Sequence, residues 1–167
     1  VKKDRHGRLL AHLGTAGGVW VQGEMLRQGM ARVYSFPDNR AVVGNMLALE
    51  RGAREAGHGI WGHPFYAVRD AADAAAVVRL AGTFQVVRGR VRKTVRVKNR
   101  VYLNFGDNWR DDFTITIKTQ ARRLFAKTGT EPLSFQGKTV RVRGWLKKYN
   151  GPMIEASHPE QIEIISP

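Results

Sequence analysis

The sequence predicts an α+β chain in which a helix-containing first part precedes a small five-stranded β-barrel. In the first part apolar residues recur with a helical period of about 3.6 residues, whereas beyond Gly82 they alternate with the period of two that is typical of strands. One short predicted helix interrupts the later strands. We therefore expect a first domain over residues 1–66, a linker or short helix over 67–81, and a second domain over 82–167.

The first part is predicted to contain two helices separated by turns. Glycine-rich and Pro-Asp-Asn stretches mark the turns, and the second helix has the clearest apolar stripe, with charged residues around it. The predicted elements are a strand over 9–13, a glycine turn over 14–18, a helix over 19–30, an extended segment over 31–36, a helix from about 42 that stops at Gly57 or Gly59, and an irregular aromatic segment over 59–66.

The second part is predicted to contain five strands. Asn150-Gly151 is a hairpin signal between the last two of them. One helix between the third and fourth strands is the arrangement of an OB-fold barrel, and another small barrel with the same strand count is the alternative. The predicted elements are strands over 84–97, 101–105 and 113–117, a helix over 121–127, a strand over 140–145, and a fifth strand made of 153–156 and 162–165, interrupted by His158-Pro159.

The charge of the chain favours a polyanionic partner. There are 28 Lys and Arg residues against 14 Asp and Glu residues, for a net charge of +14. Residues 1–81 carry 11 basic and 7 acidic groups, whereas residues 82–167 carry 17 and 7. A field of this sign concentrates polyanions, of which nucleic acid is the commonest, although a high net charge also serves solubility alone. The absence of cysteine excludes disulfides, thiolate metal sites and cysteine nucleophiles.

A charged turn near the start of the chain is a candidate phosphate site. Asp4-Arg5-His6-Gly7-Arg8 contains a glycine that allows a tight bend, followed by a strand. The guanidinium of Arg8 could bind a phosphate through two parallel hydrogen bonds, and Arg5 and His6 could reach the same anion. The pattern D-x-x-G-R alone has low specificity, because most such arginines are solvated turn residues.

The surrounding sequence resembles the thermonuclease family of staphylococcal-nuclease-like phosphodiesterases. The resemblance rests on Asp4–Ala11, on Val21–Tyr34, and on Glu50–Gly57 with Gly59-Ile60-Trp61, in matching order and spacing. It implies that residues 1–66 are the C-terminal portion of a nuclease-type OB barrel with helices. It also implies that Arg8 is one of two catalytic arginines on the phosphate, and that Tyr34, Arg5 and His6 lie beside the bound nucleotide.

The family is expected to cleave phosphodiester bonds with Ca²⁺, held by aspartates, and a glutamate that activates water. Those groups and the other arginine lie upstream in the family, on strands that this chain does not contain. Since the chain opens on Val1, we expect a fragment or processed product that holds no metal ligands, binds no Ca²⁺ alone and has little or no nuclease activity. The resemblance further implies a bacterial, secreted or periplasmic parent enzyme.

The second domain is predicted to bind single-stranded DNA or RNA in a basic groove. Cations would follow the backbone while bases stack on aromatic side chains. The alternative is a solvated charged face with Tyr102 in the core. Trp109 lies in an acidic loop, which leaves its role open. The predicted groove residues are Arg90, Arg92, Arg96, Tyr102, Arg141, Arg143 and Tyr149.

The sequence thus predicts part of a calcium-dependent nuclease with an appended nucleic-acid-binding OB domain. Two alternatives remain: a non-catalytic nucleic-acid-binding protein, and an OB module that binds a protein or a small ligand. No membrane partner is expected, because the longest apolar runs, such as Ala74–Val78, are far too short to span a bilayer. The oligomeric state is not predicted.

Overall fold

A computed structural model gives the structure of the chain and describes residues 2, 3 and 7–166. The chain divides into two compact units. Residues up to Tyr34 together with Ala41–Phe65 form the first unit, and Ser35–Arg40 together with the residues from Tyr66 onward form the second. In the described part of the chain, no helix is long and apolar enough to cross a membrane.

The first unit is a small helical assembly with one pair of short strands. The strand predicted over 9–13 is limited to Leu9–Leu10, and the first helix is shorter than the predicted 19–30. Its regular elements are strands β1 (Lys2–Lys3) and β2 (Leu9–Leu10), which pair antiparallel, helices α1 (Val21–Arg27) and α2 (Val43–Glu55), and the 3₁₀ turn Gly59–Gly62.

Helices α1 and α2 pack around an apolar cluster of Leu26, Val33, Val43 and Leu47, all buried. Gly29, with φ +71°, ends the first helical segment and lies against Gly59, with φ +55°. A Cβ on Gly29 would collide with the backbone at and just before Gly59, and a Cβ on Gly59 would collide with the backbone of Gly29. The Ile60 N–H donates to the Gly29 carbonyl at 2.9 Å. Only glycine allows this approach, which fixes the turn that follows α2.

The second unit is built on a barrel whose strands form a closed ring. Its members are β4 (Phe84–Arg90), β5 (Lys93–Val97), β6 (Arg100–Asn104), β7 (Thr114–Lys118), α4 (Thr119–Lys127), β8 (Thr139–Tyr149) and β9 (Gly151–Ala156). The ring runs β4–β8–β9–β7–β6–β5, with β7 and β9 parallel and the other pairs antiparallel. Because β4 and β5 are consecutive halves of one bent strand, the ring has five strands, and helix α4 lies between the third and the fourth.

This order is that of an OB fold, so the predicted α+β class with an OB-like barrel is confirmed. Alternate residues of the strands fill the barrel interior with buried aliphatic and aromatic side chains. Those of the central strands are Val87, Val101, Leu103, Ile115, Ile117, Val140, Val142, Leu146 and Ile154.

The prediction of one strand over 84–97 is wrong at its middle. The chain bends at Val91 and Arg92, where it changes partner from β8 to β6. Val91 exchanges backbone hydrogen bonds with the segment before β8, and the Arg92 N–H donates to the Asn104 carbonyl at 2.9 Å. Apolar alternation continues through the bend and gives no sign of the change in partner.

The prediction of one interrupted fifth strand is also wrong. The 3₁₀ turn Pro159–Gln161 ends the segment after β9, and strand β10 (Ile162–Ser166) pairs with the first half of β8 rather than with β7. Proline lacks the N–H that a continuing ladder requires, so the chain turns at this point and returns to another edge.

The segment over 67–81, predicted as a linker or short helix, contains two regular elements. Strand β3 (Arg69–Asp70) pairs parallel with β4, and helix α3 (Ala74–Val78) packs Val77 into the barrel core. The Asp73 carboxylate caps α3 by accepting the Ala76 N–H at 2.9 Å.

Candidate nucleic-acid interface

The outer face of strands β5, β6 and β7 carries one aromatic side chain among apolar and basic ones. Tyr102 of β6 is directly opposite Val95 of β5 and Thr116 of β7. Directly opposite residues of paired strands project to the same side of a sheet, here away from the buried Val101 and Leu103. We call this surface the β5–β7 face; its exposed or half-buried members are Val95, Val97, Arg100, Tyr102 and Lys118.

Two basic hairpin turns belong to the same functional region of the fold. In OB folds, ligands contact the face of the second and third strands and the loops that join strands 1–2 and 4–5. The first of these loops is the β5–β6 turn at Lys98, with φ +49°, and the second is the β8–β9 turn at Asn150, with φ +61°. Tyr149 beside the second turn is 69% exposed, and it follows the exposed Lys147 and Lys148.

The β5–β7 face keeps a positive charge. Lys118 Nζ lies 2.7 Å from a Glu155 carboxylate oxygen, and this pair is partly exposed to solvent. The two other cations of the face and its first turn are Lys98 and Arg100, and neither forms an ion pair with a described residue. Arg96 is directly opposite the buried Val101 and therefore projects to the other side of the sheet. One carboxylate thus opposes three cations at this surface.

The arginines predicted to line a single groove are separated by the fold. Arg90 and Arg92 lie at the β4–β5 bend, where both are exposed and line a cavity of about 520 Å³. Arg96 is exposed on β5 near the first turn. The sequence predicts one straight strand over 84–97, which would place all three arginines on one surface.

Arg141 and Arg143 correct the predicted groove further. Both project from β8 toward Glu163 of β10: Arg143 Nη2 donates to Glu163 Oε1 at 2.7 Å, and Arg141 Nη1 lies 3.6 Å from Glu163 Oε2. The Arg143 side chain is only 1% exposed and that of Arg141 15%. Arg143 therefore does not line an exposed surface, because β10 supplies a carboxylate that holds it in the sheet.

The first unit displays two of the four residues predicted from the nuclease resemblance. Arg8 is exposed directly before β2, after Gly7 with φ +78°, and Tyr34 is 47% exposed. Arg5 and His6 lie outside the described residues.

A buried carboxylate that was not predicted as a functional residue supports Tyr34. Glu50 of α2 is fully buried and accepts the backbone N–H of Val33 at 2.6 Å. It also pairs with Arg54 at 2.8 Å, and the Arg54 guanidinium lies 5.4 Å from the centre of the Trp61 ring. Glu50 thus fixes the backbone one residue before Tyr34. The spacing of Glu50 and Arg54 by one helical turn predicts the ion pair, but the contact with Val33 depends on the tertiary fold.

A second buried polar cluster lies within the second unit. His158 is fully buried, with Nε2 2.6 Å from the Ser35 hydroxyl and Nδ1 3.0 Å from the Ser157 hydroxyl. The Arg40 guanidinium donates to both carboxylate oxygens of Glu160 at 2.9 Å. Burial lowers the pKa of His158 below its ordinary value of 6.5, against the opposing effect of Glu160. The segment Ser35–Arg40 is therefore held by a neutral histidine and an ion pair.

The described residues do not fit a calcium ion. Calcium requires six to eight oxygen ligands at short range. Within residues 2, 3 and 7–166, no three His, Asp or Glu side chains are placed to share a metal ion. Arg8 is thus the one described residue on a position that the resemblance assigns to catalysis.

Comparison with known protein families gives a match to the first part of the chain. Residues 1–63 match the family described as Staphylococcal nuclease homologue, which confirms the resemblance for that stretch. The chain therefore joins a staphylococcal-nuclease-like, nuclease-type segment to a unit with OB topology. No curated protein matches the chain.

Several solved structures are similar to the chain at low identity. The OBody AM1L10 bound to hen egg-white lysozyme is 18% identical, with 56% of this chain and 91% of that chain covered and a TM-score of 0.41. Asparaginyl-tRNA synthetase from Pyrococcus horikoshii is 18% identical over 60% of this chain and 23% of that one, with a TM-score of 0.42. A putative aspartyl-tRNA synthetase from Leishmania major Friedlin is 10% identical over 62% and 21%, with a TM-score of 0.43.

Proposed function

We propose that the chain binds single-stranded DNA or RNA through the β5–β7 face and acts as the nucleic-acid-holding part of a nuclease. The observation that carries this proposal is the position of Tyr102 at the centre of that face, with basic hairpin turns at Lys98 and Asn150 in the two loops that OB folds use for ligands. The net charge of +14 supports it.

In this proposal a base stacks on the partly exposed Tyr102 ring, and another stacks on Tyr149. Each stacked base contributes about 1–3 kcal/mol, largely independent of its identity. Lys98 and Arg100 attract the phosphates, so binding weakens as salt increases. The side chains of this surface provide little base-edge readout, and we expect weak sequence preference.

The nuclease-like segment contributes phosphate recognition. Arg8 would stabilise negative charge on a phosphodiester, which is one component of phosphodiester hydrolysis. In the part of the chain that the structure describes, no three His, Asp or Glu side chains are placed to share a metal ion. We therefore infer that this chain alone binds nucleic acid without efficient cleavage, while calcium dependence and secretion of the parent enzyme stay predictions from the resemblance.

Binding is tested with a fluorescent dT12 oligonucleotide and the full chain at 0.1 M salt. Tyr102→Leu should weaken binding about 5- to 150-fold, the equivalent of about 1–3 kcal/mol for one stacked base. Trp109→Leu is the matched control, because Trp109 is 57% exposed but lies in an acidic loop. Equal affinities of Tyr102→Leu and Trp109→Leu, or no binding by the unchanged chain at low salt, would contradict the proposal.

Cleavage is tested by incubating the full chain with single-stranded DNA in the presence of Ca²⁺. We expect the DNA to remain intact while it is bound. Robust calcium-dependent cleavage that Arg8→Ala abolishes would show that the chain holds a complete active site, and the inferred inactivity would be wrong.

A further inference from the structure

We propose that the β4–β5 bend forms a phosphate-binding site, made by Arg90, Arg92 and the side-chain amide of Gln136, which takes backbone phosphates of nucleic acid. The assignment of nucleic acid as the source rests on the proposed function, whereas the phosphate chemistry rests on the geometry of the bend. The site is separate from the β5–β7 face, since none of these three residues belongs to that face.

The bend creates a cavity of about 520 Å³, lined by Arg90, Val91, Arg92, Gln136 and Gly137. Backbone hydrogen bonds define its floor: Gly137 N–H donates to the Val91 carbonyl at 2.8 Å, and Val91 N–H donates to the Lys138 carbonyl at 2.9 Å. The cavity thus depends on barrel backbone, and its volume lies within the range of small-ligand pockets.

The polar side chains at this cavity present hydrogen-bond donors. Gln136 Oε1 accepts both the Thr94 N–H at 3.0 Å and the Thr94 hydroxyl at 3.2 Å. Since a backbone N–H requires an acceptor, these bonds fix the orientation of the amide and leave Nε2 to donate elsewhere. Nε2 has no hydrogen-bond partner among the described residues, and Arg90 and Arg92 form no ion pair with any of them.

A site of this composition selects an anion with several oxygens. Two guanidinium groups and an amide offer only N–H donors, no carboxylate lines the cavity, and arginine binds phosphate through two parallel hydrogen bonds. Arg90 and Arg92 flank Val91 and line the same cavity, so each guanidinium can contact a phosphate of one nucleic-acid strand.

The chemistry of this site also sets its selectivity. Its lining contains no aromatic side chain on which a base could stack. Phosphate contacts carry no sequence information. The site should therefore hold the backbone of DNA and RNA alike, while stacking takes place on the β5–β7 face.

Gln136→Glu gives the sharpest test, because a carboxylate still accepts both bonds from Thr94 but replaces the Nε2 donor with an oxygen. Ser134→Glu is the matched control: it adds the same charge in the preceding turn, outside the cavity lining. The new carboxylate would share the cavity with Arg90 and Arg92, and cancelling one cation–phosphate contact costs a factor of about five at 0.1 M salt, so Gln136→Glu should weaken dT12 binding about fivefold more than Ser134→Glu.

The arginines are tested as a pair. Arg90→Ala with Arg92→Ala should reduce the slope of log K against log salt by about 1.4 and weaken binding about 25-fold at 0.1 M salt. The control pair Arg79→Ala with Arg123→Ala removes the same charge from exposed positions outside the cavity and should change binding far less. Unchanged thermal unfolding of each variant excludes loss of the fold as the cause.

Amide NMR signals of the Gln136 side chain and of Gly137 locate the ligand in the unchanged full chain, with dT12 and pyrophosphate as separate probes. Shifts of the Gly137 signal with dT12 that Gln136→Glu removes support the proposal. Shifts with pyrophosphate alone support the phosphate chemistry and overturn nucleic acid as its source. If neither probe shifts these signals, the proposed site is wrong, even if Tyr102→Leu shows that the β5–β7 face binds DNA.

Discussion

Glu50→Ala should destabilise the first unit by about 3–5 kcal/mol, because it leaves a buried guanidinium without its carboxylate. Glu50 is fully buried, and the Arg54 side chain with which it pairs is only 8% exposed. The substitution also removes the acceptor of the Val33 N–H, a charge-assisted bond at 2.6 Å. Because these contacts share one carboxylate, their losses do not add, and about 3 kcal/mol is the expected minimum.

That loss is large for so small a unit, since whole domains are stable by only about 5–15 kcal/mol. Hydrogen exchange of peptides from α2 in the full chain measures it, because opening of the first unit exposes those amides. Glu55→Ala is the matched control: Glu55 lies on the same helix, carries the same charge and is exposed, so its loss should change stability by no more than about 0.5 kcal/mol.

A double variant separates the two roles of Glu50. Combining Glu50→Leu with Arg54→Met replaces the buried ion pair by apolar groups and should recover part of the stability lost in Glu50→Leu alone. If α2 in Glu50→Ala exchanges within about 1 kcal/mol of Glu55→Ala, the carboxylate does not hold Val33, and the argument that it positions Tyr34 is refuted.

Three further predictions concern a buried histidine, an ion pair and a close backbone contact. The pKa of His158 lies below its ordinary 6.5, so the unfolded chain binds a proton at this histidine more readily than the folded chain does. The free energy of unfolding should therefore fall as pH drops below about 6.5, by at most ~1.4 kcal/mol per pH unit. Denaturant titrations at several pH values should show a weaker pH dependence for His158→Gln. Glu155→Gln removes the carboxylate that pairs with Lys118 and should strengthen dT12 binding about fivefold at 0.1 M salt in an anisotropy assay. Asp107→Asn, at an exposed position, is the control. Equal gains in affinity for both variants would show that only the net charge of the chain matters. Gly59→Ala places a Cβ against backbone at positive φ and should lower the melting temperature of the first unit by calorimetry; an unchanged melting temperature would mean that this contact is not needed.

The barrel was predictable because its signals are local. Alternating apolar residues mark each strand, and the helix after β7 marks the topology. The bend at Val91 was not predictable from periodicity, since a strand keeps its alternation when it changes partner. Its position depends on which strands it must join to close the ring.

The candidate site was predictable in residue type and less so in arrangement. Arg143 alternates along β8 as an exposed cation would, but Glu163, 20 residues later, pairs with it and buries it. Likewise, Glu50 reaches Val33 across 17 residues. In both cases the partner is selected by tertiary packing, which a single sequence does not reveal.

The contacts that fix Ser35–Arg40 in the second unit have a consequence for the order of folding. Ser35 and His158 are 123 residues apart in the chain, and Arg40 and Glu160 are 120 apart. Helices α1 and α2 need only neighbouring residues and can form early, whereas contacts between distant residues close slowly. The second unit can therefore close over Ser35–Arg40 only after residues 158–160 have been synthesised, which places this step late in its folding.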